Sequence, residues 1–432
     1  MEIFRTLKYR NFRLFLIGQG ISTVGTWMQA VASGWLAYRL TNSPFMLGVV
    51  GFASQAPIFL LGPFGGFLAD IGNKRRILIV TQVISMAQAL VLAALTISGR
   101  IEVWHIIILS VVLGCVNSFD MPVRQSFVVD MVEDKDALGN AIALNSLQFN
   151  VARLIGPSIA GILIAAFGEG ICFLMNGLSF IAVIWSLAAM RVAARAAGKP
   201  KNYKVVDSIR EGFDYVRGSL PIRYILLLIS VISITGTSYV VLMPVFAKDV
   251  IGGGATTLGF LMSSAGVGAL AATIYLASRK TVRGLGRMIV VCSSLFGISL
   301  FAFSFSKNLL VSMFILAVTG FGIIAHMAAS NTILQTIADD DKRGRVMSFY
   351  MIAFIGMAPI GSLISGMLAS SIGVSGTLMI CAGVSLAASA VFYRKLPEIR
   401  RVIHPIYRKM GIIPEVAAGL NAVNEFSRPP ED

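Results

Sequence analysis

The sequence has 432 residues, of which 56% are hydrophobic and only 13% charged, with a mean hydropathy of +0.80. A soluble domain carries about 25% charged residues, so this composition excludes an ordinary soluble globular protein. The net charge of +15 does not indicate a nucleic-acid partner, because the basic residues lie in short segments between apolar runs, where they act as an orientation signal.

A bilayer core about 30 Å thick takes roughly 20 apolar residues per helix. On that basis the sequence predicts spans at about 13–38, 46–69, 77–98, 104–121, 141–167, 171–190, 222–247, 256–278, 288–306, 309–331, 346–370 and 375–393. The start of the chain lacks a short apolar segment followed by a cleavage site, so the first span reads as the insertion signal. With the N-terminus inside, four of the 36 Lys and Arg residues fall in outside loops (Arg39, Arg100, Lys248, Lys307) and one, Arg153, falls within a span. The expected topology is therefore multi-pass in the cell membrane, with both termini cytoplasmic.

A basic, more polar segment at 191–221 separates six spans from six. The expected organisation is an N-terminal half (1–190), a cytoplasmic linker (191–221), a C-terminal half (222–393) and a basic, partly disordered tail (394–432). The halves are related. Ile21-Ser-Thr-Val-Gly-Thr26 returns as Ile232-Ser-Ile-Thr-Gly-Thr237, and Leu47-Gly48 returns as Leu258-Gly259, both at a shift of 211 residues. Gly156-Pro-Ser-Ile-Ala-Gly161 returns as Gly361-Ser-Leu-Ile-Ser-Gly366 at a shift of 205. Because each half has an even number of spans, the copies are parallel, one known plan for transporters with a site between repeats. The fold class expected is thus all-α integral membrane, with twelve transmembrane helices in two parallel six-helix halves.

Polar residues inside the spans mark a candidate pathway. Gln19, Ser22, Thr26, Gln29 and Ser33 recur every three or four residues and form one stripe on the first helix. Ser110, Asn117, Asp120 and Arg124 do so on the fourth, Ser146, Asn150 and Arg153 on the fifth, and Thr319, His326 and Ser330 on the tenth. Such residues either line a cavity or join helices by hydrogen bonds, each worth about 0.6 kcal/mol on average. A mid-span Arg costs at least about 2.5–3.5 kcal/mol on insertion scales. Arg153 therefore needs a partner, with Asp120 or an anionic substrate as candidates. Cys115, Cys172, Cys292 and Cys381 lack metal-ligand spacing and read as packing residues. No nucleotide-binding loop, metal-ligand pair or acid–base pair is present, so neither a cofactor nor a catalytic site is expected.

Two motifs carry mechanism. Gly66-Phe-Leu-Ala-Asp70-Ile-Gly-Asn-Lys74-Arg75-Arg76 follows the second span, and Arg153-Leu-Ile-Gly156-Pro157-Ser-Ile-Ala-Gly161 lies in the fifth. The first resembles the signature loop of the major facilitator superfamily, although Ile71 stands where that family has Arg and Asn73 where it has Gly. The second resembles the Gly-Pro element of the superfamily's exporters. Tyr9-Arg-Asn-Phe-Arg-Leu-Phe, Gly25-Thr-Trp-Met-Gln29, Asp120-Met-Pro-Val-Arg-Gln125 and the stretch 145–161 resemble the enterobactin and macrolide exporters within it. The resemblance implies the major facilitator fold, a gate at Asp70, and a monomeric exporter of an amphipathic small molecule, such as a drug or siderophore, coupled to protons. Lys74 to Arg76 could instead only set topology. An importer, a non-transporting receptor or partner subunit, and an intramembrane enzyme are the rival readings; the polar stripe with Arg153 argues against the receptor, and the lack of an acid–base pair against the enzyme.

Overall fold

The computed structural model describes residues 6–132, 135–190, 205–279 and 281–409. Most of the expected linker and tail, 191–204 and 410–432, lies outside the described residues. Every regular element described is helical. The helices are α1 (Arg10–Thr41), α2 (Pro44–Ile71), α3 (Lys74–Ile97), α4 (Val103–Asp130), α5 (Lys135–Phe167), α6 (Glu169–Ala189), α7 (Val205–Gly218), α8 (Leu220–Val245), α9 (Ala255–Ala277), α10 (Leu285–Phe305), α11 (Leu309–Ile337), α12 (Arg343–Met351) and α13 (Ala358–Lys409). π-Helical turns at Phe246–Val250 and Ile352–Gly356 follow α8 and α12.

Among the described residues, ten helical segments are long and apolar enough to cross a membrane. The last of these, Arg343–Arg408, bends at Gly373, whose φ of 78° no helix accommodates. α1 is long enough but falls outside the ten because of its polar residues. Large apolar side chains such as Leu60, Phe64, Phe67, Trp185 and Phe314 stand exposed on the outside of the bundle, an arrangement suited to lipid rather than water.

Several boundaries differ from expectation. α4 runs on to Asp130, where the sequence predicted an end near 121, because Pro122 is accommodated inside the helix. Pro122 donates no N–H to the Ser118 carbonyl. Gly65 of α2 packs there so closely that a side-chain carbon on it would fall 1.9 Å from that oxygen. The tail, expected to be partly disordered, is helical as far as Lys409, and 410–432 lies outside the described residues. Leu396, Ile399, Ile403 and Tyr407 form a buried stripe, packed beside Gly286 and Arg287 at the start of α10.

The order of packing places the first six helices against one another and α8 to α13 against one another. α2 meets α13, and α5 meets α9, across the two groups. Both crossings depend on paired glycines. A side-chain carbon at Gly161 would lie 3.1 Å from the Gly259 Cα, and one at Gly48 would lie 3.0 Å from the Gly366 Cα. These four residues are the positions that the two sequence repeats match with one another. The duplication thus appears twice in space, as two equivalent close crossings about a pseudo-twofold axis.

Candidate functional site

The space between the two groups of helices has two ends of different character. At the end away from the basic motif, which we term the far end, the groups are joined. Tyr38 of α1 donates a hydrogen bond to Asp249 in the turn after α8, and these two residues are again 211 apart. Lys248 donates to Asn42 Oδ1 at 2.8 Å and stacks over the Tyr38 ring at 5.2 Å. Both glycine crossings lie toward this end, near the N-termini of α2 and α9. Glu169, buried, takes a bidentate pair from Arg39 at 2.7 and 3.1 Å within the first group.

At the basic end the expected gating loop is resolved into a helix end and a two-residue connection. Gly66 and Asp70 lie on α2, and only Gly72 and Asn73 link it to α3. Asp70 is exposed and has no hydrogen bond or ion pair among the described residues. Lys74 pairs with Asp130 at 2.6 Å, and Arg75 donates to the Leu187 and Ala188 carbonyls, each at 2.6 Å. Arg75 thereby caps α6, where the negative end of the helix favours a cation. Arg76 is exposed, and its guanidinium has no partner among the described residues. The basic cluster therefore ties α3 to α4 and α6, and its acid faces open space.

The polar stripe of α1 does not face one cavity. Gln19, Ser22 and Gln29 are buried, Ser33 is half-buried, and Thr26 alone is exposed. Gln29 donates to Gln88 of α3 at 3.0 Å and accepts from Asn176 of α6 at 2.8 Å, joining three helices. Gln19 Nε2 reaches Thr23 at 3.4 Å. The α1 surface that meets the other group is the one carrying Gly34, where an added carbon would lie 3.5 Å from Pro244. The stripe is offset from that surface because small residues on the opposite side, Gly18 and Gly25, pack on α6.

The tenth-span stripe is likewise buried between helices. Thr319 bonds Ser299 of α10 at 2.9 Å, and His326 and Ser330 are fully buried. On α4, Ser110 and Asn117 are half-buried. On α5, Asn150 donates to the Ser146 carbonyl at 2.9 Å.

Arg153 and Asp120 do not pair. The Arg153 guanidinium lies over the Trp27 ring at 5.7 Å, and Trp27 meets Phe149 edge-on at 5.8 Å. Cation–π attraction of this kind is worth about 0.5–1 kcal/mol at exposed sites and more when desolvated. Gly156 makes the arrangement possible, since a side-chain carbon there would fall 2.6 Å from Trp27 Cβ. Pro157 leaves the Arg153 carbonyl without its helical donor, and the backbone of α9 at Gly266 lies beside that oxygen. Ser158 and Ser263 add a bond of 2.7 Å across the same crossing. The exposed Phe149 ring, the half-exposed Arg153 and Thr26 thus form an aromatic and cationic surface near the meeting of the groups.

Asp120 is buried near the basic end of α4. Its Oδ1 accepts from Thr81 Oγ1 and Gln82 Nε2 of α3, each at 2.8 Å, and its Oδ2 faces Arg124 Nε at 3.4 Å. Gln82 and Thr81 were not singled out in the sequence, though both follow the basic cluster on α3 at one helical face. A recess of about 780 Å³ between α2, α3 and α4 reaches Thr81 from the outside of the bundle. The cysteines are free thiols, and no group of potential metal ligands occurs among the described residues.

A bundle of apolar helices, split into two related groups that close on each other at one end, defines a multi-pass membrane transporter. The transmembrane secretion effector family model matches residues 2–414, and the chain belongs to this family of the major facilitator superfamily. The Staphyloferrin A transporter of Staphylococcus aureus (strain NCTC 8325 / PS 47) is 30% identical over 387 residues, which cover 89% of this chain and 94% of that one. The multidrug efflux pump Tap of Mycolicibacterium fortuitum is 22% identical, with 89% of this chain and 96% of that one covered. A POT family transporter crystallised in complex with a thioalcohol conjugated peptide superposes with a TM-score of 0.73 at 10% identity, over 90% of this chain and 96% of that one. The relatives and the family are transporters, not enzymes.

Proposed function

We propose that the chain is a monomeric secondary transporter of twelve spans in two six-helix halves, 1–190 and 222–393, which exports an amphipathic small molecule by alternating access in exchange for protons. The observation that carries this reading is the asymmetry between the ends. The halves are joined through Tyr38, Asp249, Asn42 and Lys248 at one end, while the side chains of Asp70 and Arg76 have no partner among the described residues at the other. The distribution of Lys and Arg assigns the basic end to the cytoplasm, so this is the state open to the cytoplasm. In the opposite state Asp70 would meet the second half and hold the cytoplasmic gate shut, which would account for its being free here. Export is supported by the relatives, an efflux pump and a siderophore transporter, and by the glycine-rich crossing of α5 on α9.

The substrate surface is assigned to Thr26, Trp27, Phe149 and Arg153, an aromatic platform with one cation, suited to an amphipathic molecule bearing an anionic group. Everted membrane vesicles carrying the protein test this directly. With an acid interior they are expected to accumulate staphyloferrin A or a macrolide above the level of vesicles lacking it. Accumulation only in right-side-out vesicles would make the chain an importer and overturn the assignment.

A further inference from the structure

Two carboxylates, Asp120 and Glu169, are buried among the described residues. Glu169 has its charge met by both nitrogens of a bidentate guanidinium. Asp120 is held differently. Two uncharged donors occupy Oδ1, and the only cation beside it among the described residues, Arg124, approaches Oδ2 no closer than 3.4 Å. A charge-assisted hydrogen bond is about 2.7–2.9 Å long, so this ion pair is loose. The Arg124 side chain is 25% exposed while that of Asp120 is 4% exposed. The cation is therefore reachable from water and the carboxylate is not.

No other charge pairs with Asp120 among the described residues. α3 presents Thr81 and Gln82. Neither α1, α2 nor α5, the other helices packed on α4, places a charged group within ion-pair distance of it among the described residues. Asp70 of α2 is exposed, and Asp130 at the end of α4 is engaged by Lys74. When Arg124 turns outward, a buried carboxylate is left without compensation, and such a group relieves the cost by taking a proton.

Gln82 provides for that neutral form. Its Nε2 donates to Asp120 Oδ1 at 2.8 Å, while its Oε1 is buried with no hydrogen-bond partner. Turning the amide over places Oε1 where Nε2 now lies, as an acceptor for a carboxylic O–H on the same oxygen. One side chain thus serves the carboxylate as donor and the acid as acceptor. Asp120 also lies ten residues before the end of α4, about 15 Å along the helix axis, on the side that the proposed orientation gives to the cytoplasm.

We propose that Asp120 is the proton-binding group of this transporter, with Arg124 and Gln82 as its positioning residues. This rests on the proton-coupled reading given above. A proton from water adds to one carboxylate oxygen, forming an O–H bond and breaking the ion pair to Arg124. Its return to water on the other side of the cycle restores both.

Infrared titration of the purified protein in lipid, without substrate, reads the carboxyl group itself. Between alkaline and acid buffer the wild type should gain a carboxylic C=O band at the high-frequency edge, where buried acids absorb. Asp120→Asn, which keeps the acceptor for Thr81 and Gln82, should lack that band. In vesicles Asp120→Asn should lose at least about tenfold of the accumulation driven by a pH gradient. A band retained in Asp120→Asn, or gradient-driven accumulation unchanged in it, overturns the assignment while proton coupling stands. A wild type indifferent to the pH gradient overturns proton coupling itself, and Asp120 with it.

Discussion

At the residue scale, polar side chains within the membrane divide into those that join helices and those that face open space. Gln29 belongs to the first kind, with its amide shared between Gln88 and Asn176. Gln29→Ala leaves two buried amides short of a partner, a cost of about 1–3 kcal/mol per group. Thermal unfolding in detergent should show a lowered transition, with substrate affinity in the surviving folded protein unchanged. Arg153 belongs to the second kind. Its contact is the Trp27 face and not a carboxylate, so Arg153→Met should lower stability by no more than about 1 kcal/mol and weaken transport of anionic compounds while sparing neutral ones. Adding Asp120→Asn should give no rescue of stability, because the two residues do not meet. The sequence made Arg153 and Asp120 candidate partners because both are charged and near one depth. It could not show the azimuth of each helix, which decided otherwise. Arg124 was the nearer partner throughout, one helical turn from Asp120.

At the element scale, two features were legible and two were hidden. The repeats at 211 and 205 residues carried the glycine crossings, since Gly48 with Gly259 and Gly161 with Gly366 are pairs that the sequence matched. Only backbone contact explains why glycine was retained at all four. Gly161→Leu should therefore prise α5 from α9 at the far end and shift the population toward the state open there. Accessibility of single cysteines placed near Thr256 to a water-soluble reagent reads that shift. Span ends were less legible. Pro122 reads as a terminator, yet α4 absorbs it by giving the Ser118 carbonyl a close neighbour in Gly65. This hid the depth of Asp120. The end of α13 was hidden by its charge, because Arg394, Lys395, Arg400 and Arg401 mask the apolar spacing of Leu396, Ile399, Ile403 and Tyr407. Ile403→Asp should lower the unfolding transition by burying a carboxylate against α10, whereas Arg401→Asp, on the exposed side, should not.

At the scale of the whole molecule, the proposed alternating access makes the joined far end and the unjoined basic end one half of a cycle. The Tyr38–Asp249 contact and the glycine crossings hold one state. Asp70 has no role in it, so Asp70→Asn should leave the stability of this state unchanged and slow turnover, as shown by binding and transport measured on the same preparation. The central claim is that the two ends open in alternation. It is tested most directly by electron-spin distance measurements on two label pairs in the reconstituted protein, one joining Asn73 to Asp340 at the basic end and one joining Leu40 to Val250 at the far end. On moving from alkaline to acid buffer, or on adding staphyloferrin A, the account predicts that the first distance distribution shortens as the second lengthens. Two distributions that stay fixed, or that lengthen and shorten together, would contradict it.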